Sequence, residues 1–262
     1  MLLRTHGEKG YKGAENVRYV RKNAESRKQS LTELALSLVK VDKTEVIVAF
    51  SPQGLAAAIA AAQGKPVVYL SYSEPIPSAT GLVAAVAPSP GSRCVDLARR
   101  LKPEVAEIGI VYDASELTSV ASATSAQIAA QRSGLIATML PLTIEGGVPT
   151  KPVSQLAVFV AWAPTMLEAT IHQIFETTAA SKVPVFTDNA DLVSKGALAA
   201  YEVDWDALGR EAGALVAAIL DGGTPQTVKV EGTVTLTVNE KIAQELGIAI
   251  PADVVAQGKV IR

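Results

Sequence analysis

The sequence predicts an α/β protein with parallel sheets arranged in two lobes, and three observations carry that expectation. From Glu45 onward, short β-branched runs alternate with alanine-rich amphipathic stretches, the pattern of successive β-α-β units. The runs are continuously apolar, as strands covered by helices on both faces require. Two breaks in the rhythm, APSPGS (87–92) and LDGGTPQT (220–227), concentrate Pro and Gly where the chain is expected to pass between lobes.

The strands are expected at EVIVAF (45–50), KPVVYLS (65–71), EIGIVYD (107–113), LAVFVAW (156–162) and VPVFTD (183–188), with another around 138–143 and a pattern TVKV…TVTLTV after 226. Helices are expected at 31–39, 53–63, 92–101, 115–134, 165–181 and 206–220. Pro164 suits the first turn of its helix, where a missing N–H is no loss. Asp204 and Asp206 suit the start of the last one, where the helix dipole favours negative charge. Upstream, NVRYVRKN (16–23) alternates enough to suggest an edge strand, and GGVPTKPVS (146–154) reads as a surface loop.

A chain of 262 residues with 48% hydrophobic and 19% charged residues has the composition of a folded globular protein. Its formal net charge of −2 supplies no positive field for a phosphate backbone, so nucleic acid is not an expected partner. The early basic residues Arg18, Arg21, Lys22, Arg27 and Lys28 are interleaved with Glu15 and Glu25 and read as a solvated face. No run of about 18 apolar residues spans a membrane. The opening MLLRTHGEKGYKG lacks the apolar core of a signal peptide, so none is expected in this chain.

Catalytic and metal-binding patterns are missing: GxSxG, the phosphate-binding loop, GxGxxG, HExxH and CxxC spacings are all absent, so neither catalysis nor a cofactor or metal is expected. Cys94 is the single cysteine. Set among Val95, Leu97 and Leu101, it reads as a small buried side chain. His6 and His172 read as structural histidines.

In parallel α/β sheets, ligands gather beyond the carboxyl ends of the strands, where helix N-termini converge. Those ends carry Ser51 and Gln53, then Ser73 and Glu74, then Tyr112, Asp113 and Ser115, then Trp162, then Asp188 and Asn189. Hydroxyls, amides, aromatics and a few carboxylates suit reversible binding of a small polar molecule. For any single one of them a cap or turn role is the commoner use, so the set carries the expectation.

The segment KVPVFTDNADLVSKGALAAYEVDWDALGREAGALVAAILDGGTP (182–225), followed by TLTVNEKIAQELGIAIPADVV (235–255), closely resembles substrate-binding proteins of ABC transporters, in particular uncharacterised and aromatic-amino-acid-type periplasmic components. The resemblance continues more loosely through EVIVAFSPQGLAAA, PVVYLSYSEP, TGLVA and IGIVYDASELTSV. It implies the type I periplasmic binding protein fold, with two Rossmann-like lobes, chain crossings near 90, 195 and 225, and a ligand held in the inter-lobe cleft by hinge closure. By this resemblance the first strand of the family's N-terminal lobe has no counterpart here, since Met1 falls within the family's first helix. The family's Asp-Asn pair falls at Pro164-Thr165, and its Ser/Thr-Asp-Pro at Ser73-Glu74-Pro75.

The resemblance therefore implies an N-terminal lobe of residues 1–92 and 195–225 and a C-terminal lobe of 93–194 and 226–262. It implies a solute-binding component of an import system, extracytoplasmic in location and without direct membrane insertion, with a small-molecule ligand and a membrane permease as partners. A cytoplasmic sensor built on the same lobes, or a truncated homologue that no longer serves transport, stands as the alternative.

Overall fold

The computed structural model describes residues 15–24, 30–72, 79–142 and 156–262. In chain order its elements are α1 (Ser30–Lys40), β1 (Ile47–Phe50), α2 (Pro52–Ala61), β2 (Val67–Ser71), β3 (Leu82–Val86), α3 (Pro90–Leu101), β4 (Glu107–Tyr112), α4 (Leu117–Arg132), β5 (Ile136–Pro141), β6 (Ala157–Ala161), α5 (Glu168–Ala180), β7 (Val185–Thr187), a 3-10 turn (Ala190–Val193), β8 (Ala199–Val203), α6 (Trp205–Leu220), β9 (Val228–Lys229), β10 (Val234–Asn239), α7 (Glu240–Leu246), α8 (Ala252–Gln257) and β11 (Gly258–Ile261). They form two compact units, Met1–Ala87 with Asp204–Thr233 and Pro88–Val203 with Val234–Arg262.

Unit 1 contains a four-stranded sheet in the order β1-β2-β3-β9, parallel throughout. Side chains alternate between the faces of a strand. Ile47, Ala49, Val67, Tyr69 and Ala84 accordingly join Val39, Leu55 and Ala58 in one buried cluster, while α6 packs on β2 and β3. Pro52 opens α2 and the Ser51 hydroxyl caps it. The Asp204 carboxylate caps α6 by accepting from the Ala207 N–H at 2.9 Å.

Unit 2 contains a seven-stranded sheet in the order β11-β10-β8-β7-β6-β4-β5. Every pair in it is parallel except β8 with β10. The strand period divides its core in two. Ile108, Ile110, Phe159 and Phe186 pack with α3 and α4 residues on one face, and Val111, Val158, Val160 and Val185 pack with Ile171, Ile174 and Phe175 on the other. This double coverage is why β6 reads as an unbroken apolar run, buried at all five positions.

Five expectations are corrected. No strand forms over 16–23, where none of the residues is buried; without an apolar face to pack, the segment is held by polar contacts such as Lys22–Asp42 at 3.0 Å. The stretch 220–227 is not a passage between units but the connection from α6 to β9. Its Thr227 hydroxyl accepts from the Ala84 N–H at 3.0 Å. Consequently β9 pairs with β3 in unit 1, although 226–262 was assigned to the other lobe. Residues 199–203 form β8, which pairs with β7 and β10 in unit 2, although 195–225 was assigned to the first lobe. Finally, α5 starts at Glu168, and Pro164 lies in the turn before it, because Thr165 is tied to another strand end.

Candidate functional site

Strands β7, β6 and β4 are neighbours in that order in unit 2, with Tyr112 opposite Ala161 and Val160 opposite Thr187. Parallel pairing therefore delivers Tyr112-Asp113, Trp162 and Asp188-Asn189 to one edge of one sheet, the edge toward which helix N-termini point. Two hydrogen-bonded groups are built there.

The first centres on Asp113. Its Oδ1 accepts from the Ser115 N–H at 2.8 Å and from the Ser115 hydroxyl at 2.7 Å, a turn that carboxylates form two residues ahead of themselves. Its Oδ2 accepts from the Thr165 hydroxyl at 2.6 Å. The Asp113 N–H donates to the Ser119 hydroxyl at 3.0 Å, and that hydroxyl donates to the Ala161 carbonyl at 2.6 Å. The loops after β4 and β6 are thus fastened together around one carboxylate. Asp113 is half-buried and Ser115 exposed.

The second centres on Asp188. Oδ1 accepts from the Trp162 N–H at 2.8 Å, and Oδ2 accepts from the Ser122 hydroxyl. Burial pushes this carboxyl up to about 6 from its ordinary 3.8, against the lowering effect of those two bonds, and the charge of Glu202 raises it further. Low polarity disfavours the ionised form more than the two donors favour it. Asn189 accepts from the Asp191 N–H at 2.9 Å and caps the 3-10 turn. The Trp162 ring is half-buried and packs against the α5-side core.

In unit 1, Ser51 follows β1 with a φ of 65°, in the left-handed region that non-glycine residues rarely adopt. Its hydroxyl accepts from the Gly54 N–H at 3.2 Å, and Gln53 is half-buried in the first turn of α2. Ser73 and Glu74 lie outside the described residues. Sequence reasoning passed over the aromatic groups on this edge. Tyr72, just beyond β2, meets Trp205, the first residue of α6, with ring centroids 5.9 Å apart and planes at 81°. Phe50, at the end of β1, is 48% exposed. In unit 2 it also passed over Ser119 and Ser122, whose signal was available: polar residues on the buried face of an alanine-rich helix must have partners.

An open groove of about 450 Å³ in unit 1 is lined by Pro66, Gly81, Leu82, Ile219, Gly223 and Thr227 among others. It lies where β2, β3 and β9 begin, the edge at which the helix ends rather than starts, so backbone N–H groups do not converge on it. Cys94 is fully buried, its thiol donating to the Thr187 carbonyl at 3.2 Å; burial pushes that thiol upward and keeps it neutral. His172 is exposed on α5, 3.5 Å from Glu176, and His6 lies outside the described residues. Among the described residues no group of three or more His, Cys, Asp or Glu could hold a metal ion, and no helix is long and apolar enough to cross a membrane.

Comparison with known proteins places this arrangement. The chain is 25% identical over 235 residues to a tyrosine-binding protein of Clostridioides difficile (strain R20291), covering 82% of this chain and 66% of that protein. Its fold matches the crystal structure of a conserved domain protein from Vibrio cholerae, with a TM-score of 0.76 and 23% identity over 100% of this chain and 93% of that one. It also matches a Streptococcus pneumonia ABC domain in complex with L-Trp, with a TM-score of 0.75 and 23% identity over 99% and 92% of the two chains. The two units, each an open sheet between helices, have the architecture of type I periplasmic binding proteins. The model of the ABC transporter substrate binding protein family matches residues 3–261, and the chain belongs to that family.

Proposed function

We propose that this protein captures a free amino acid reversibly outside the cytoplasm and presents it to the membrane permease of an ABC importer. The observation that carries the reading is the Asp113 group. A half-buried carboxylate, a serine hydroxyl and a threonine hydroxyl are held together at the carboxyl ends of adjacent strands, in a chain of the substrate-binding family. A carboxylate in that position can accept from an ammonium group, and charge-assisted bonds of this kind are roughly twice as strong as neutral ones. Thr165, which occupies the place of the family's carboxylate-bearing pair, donates to Asp113 at 2.6 Å, so a negative charge is restored beside that place from a neighbouring strand.

Tyr112, Trp162, Asp188 and Asn189 in unit 2, and Ser51, Gln53, Ser73 and Glu74 in unit 1, complete the proposed set of ligand contacts. Such contacts bind and release; the chemistry required is hydrogen bonding and burial alone. The amino-acid class draws support from the relatives that bind tyrosine or carry L-Trp.

Isothermal titration of the purified chain with the common amino acids, a sugar panel and a nucleoside panel tests this. Binding confined to amino acids, and weakened when the α-amino group is acetylated, is the expected result. Binding only of sugars or nucleosides would overturn it.

A further inference from the structure

Helix α4 buries two serines completely, Ser119 and Ser122, and residues three apart lie on the same side of a helix. The other buried residues of α4 are the alanines Ala123, Ala126, Ala129 and Ala130, so an alanine at 122 would fill nearly the same space. A hydroxyl inside a helix commonly bonds the carbonyl one turn back. Thr124 does so with Val120 at 2.7 Å, and Thr177 and Thr178 do so with Gln173 and Ile174, each at 2.8 Å. Ser119 and Ser122 donate outside their helix instead. Ser119 donates to the Ala161 carbonyl at the end of β6 over 2.6 Å. Ser122 donates to Oδ2 of Asp188, 66 residues further along the chain, and Oδ1 of the same carboxylate accepts from the Trp162 N–H at 2.8 Å. One path of hydrogen bonds thus runs from α4 through Asp188 to Trp162, tying the ends of β7 and β6 to a helix. An ionised carboxylate has lone pairs for about four donors, so these bonds leave it capacity to accept from a further group.

We infer that Ser122 is a positioning residue of the ligand site: by holding the Asp188 carboxylate from α4, it fixes the ends of β6 and β7 in the arrangement that receives the ligand. Strand ends held in place before the ligand arrives lose less freedom when it binds. The inference rests on the amino-acid reading above and adds to it a residue that acts without touching the ligand.

The test is calorimetric titration of the common amino acids into the wild-type chain and the variants Ser122→Ala, Ser122→Cys, Asp188→Asn and Ser122→Ala with Asp188→Asn. Every amino acid that binds the wild type is expected to bind Ser122→Ala about fivefold or more weakly. Ser122→Cys, which keeps a weaker donor at the same place, is expected to fall between the two and carries the comparison where the alanine variant folds poorly. In the Asp188→Asn background, Ser122→Ala is expected to add little, because both changes act through one carboxylate. The pH profile separates positioning from packing. A protonated carboxyl offers fewer acceptor sites to Ser122 and Trp162, so wild-type affinity is expected to fall as pH drops through about 6, where Asp188 takes up its proton. The Ser122 bond lowers that value, so its loss is expected to move the fall to higher pH. The neighbouring titratable groups, Cys94 on α3, Tyr201 and Glu202 on β8 and Asp191 in the 3-10 turn, are unaltered in the variant. Wild-type affinity in Ser122→Ala, losses that add in the double variant, or an unshifted pH profile would each overturn the inference while leaving the amino-acid reading intact. Failure of the wild type to bind any amino acid would overturn both.

Discussion

The carboxylate of Asp188, at the end of β7, accepts the backbone N–H of Trp162, at the end of β6, over 2.8 Å, and so joins two strand ends that are candidates for ligand contact. The same carboxylate takes the Ser122 hydroxyl from α4. Removing it strands two donors in a partly buried place, and an unsatisfied donor costs about 1–3 kcal/mol. Asp188→Ala is therefore expected to be less stable than Asp188→Asn by about that amount, since the amide still accepts from Trp162 and can donate to Ser122. Urea unfolding of the two variants at one pH measures the difference; equal midpoints would show that the strand ends do not depend on this residue.

The pH dependence of stability follows from the same group. Its folded-state value of about 6 lies above the ordinary 3.8, so between roughly pH 4 and 6 the folded state holds the proton more tightly than the unfolded state does. Stability from this group is present below the ordinary value and is lost as pH rises through about 6. Lowering the pH from 7 to 4 is expected to stabilise the wild type relative to Asp188→Asn by on the order of 2 kcal/mol. Parallel pH profiles for the two proteins would contradict the assignment.

Asp113 is predicted to matter for binding more than for folding. Asp113→Ala releases Ser115 and Thr165 together and removes the proposed ammonium acceptor. A loss of affinity of about tenfold or more is expected, with a smaller loss for Thr165→Val, which leaves the carboxylate in place. Calorimetric titration with the ligand found for the wild type decides it, and wild-type affinity in Asp113→Ala would remove Asp113 from the site.

Cys94 is predicted to be chemically silent in the native state. The thiol is fully buried and its ionisation is suppressed by that burial, whereas reaction requires an accessible thiolate. Ellman's reagent is expected to titrate essentially nothing in buffer and one thiol per chain in denaturant. Rapid reaction of the folded protein would show that α3 opens readily.

Gly91 marks a tight crossing of α3 on α4. A Cβ at this position would lie 2.7 Å from the Ser122 carbonyl oxygen and 3.2 Å from the Ala126 Cβ. Gly91→Ala is expected to cost about 1–3 kcal/mol, read as a lowered melting temperature. It is also expected to weaken ligand binding, because Ser122 would be displaced from Asp188.

How far the site could be read from the chain depends on sequence distance. The Asp113–Ser115 turn was legible, because a carboxylate two residues before a serine closes a local ring. Asp204 was legible as a helix-start residue, because the helix dipole favours negative charge there. The fastening of Asp113 by Thr165 was not, nor that of Asp188 by Ser122, since these partners lie 52 and 66 residues apart and meet only once the strands are ordered. Trp205, lying between two aspartates read as helix-start residues, was given no role of its own. Its exposure beside Tyr72 becomes visible only when α6 is laid on β2.

What the sequence determined by itself was most of the alternation of strands and helices, β3 (Leu82–Val86) and β8 (Ala199–Val203) being strands it did not call for. Continuous apolar runs such as AVFVA (157–161) and 3.6-residue periodicity are local properties, and burial on two faces leaves them little alternative. The tertiary structure decided where those pieces pair. β8, reading AAYEV, carries weak strand propensity and is a strand because β7 and the antiparallel β10 supply its hydrogen bonds. The two-residue β9 exists because β3 offers it an edge. Such pairings are long-range exchanges of backbone hydrogen bonds, and a one-dimensional pattern of polarity does not encode them.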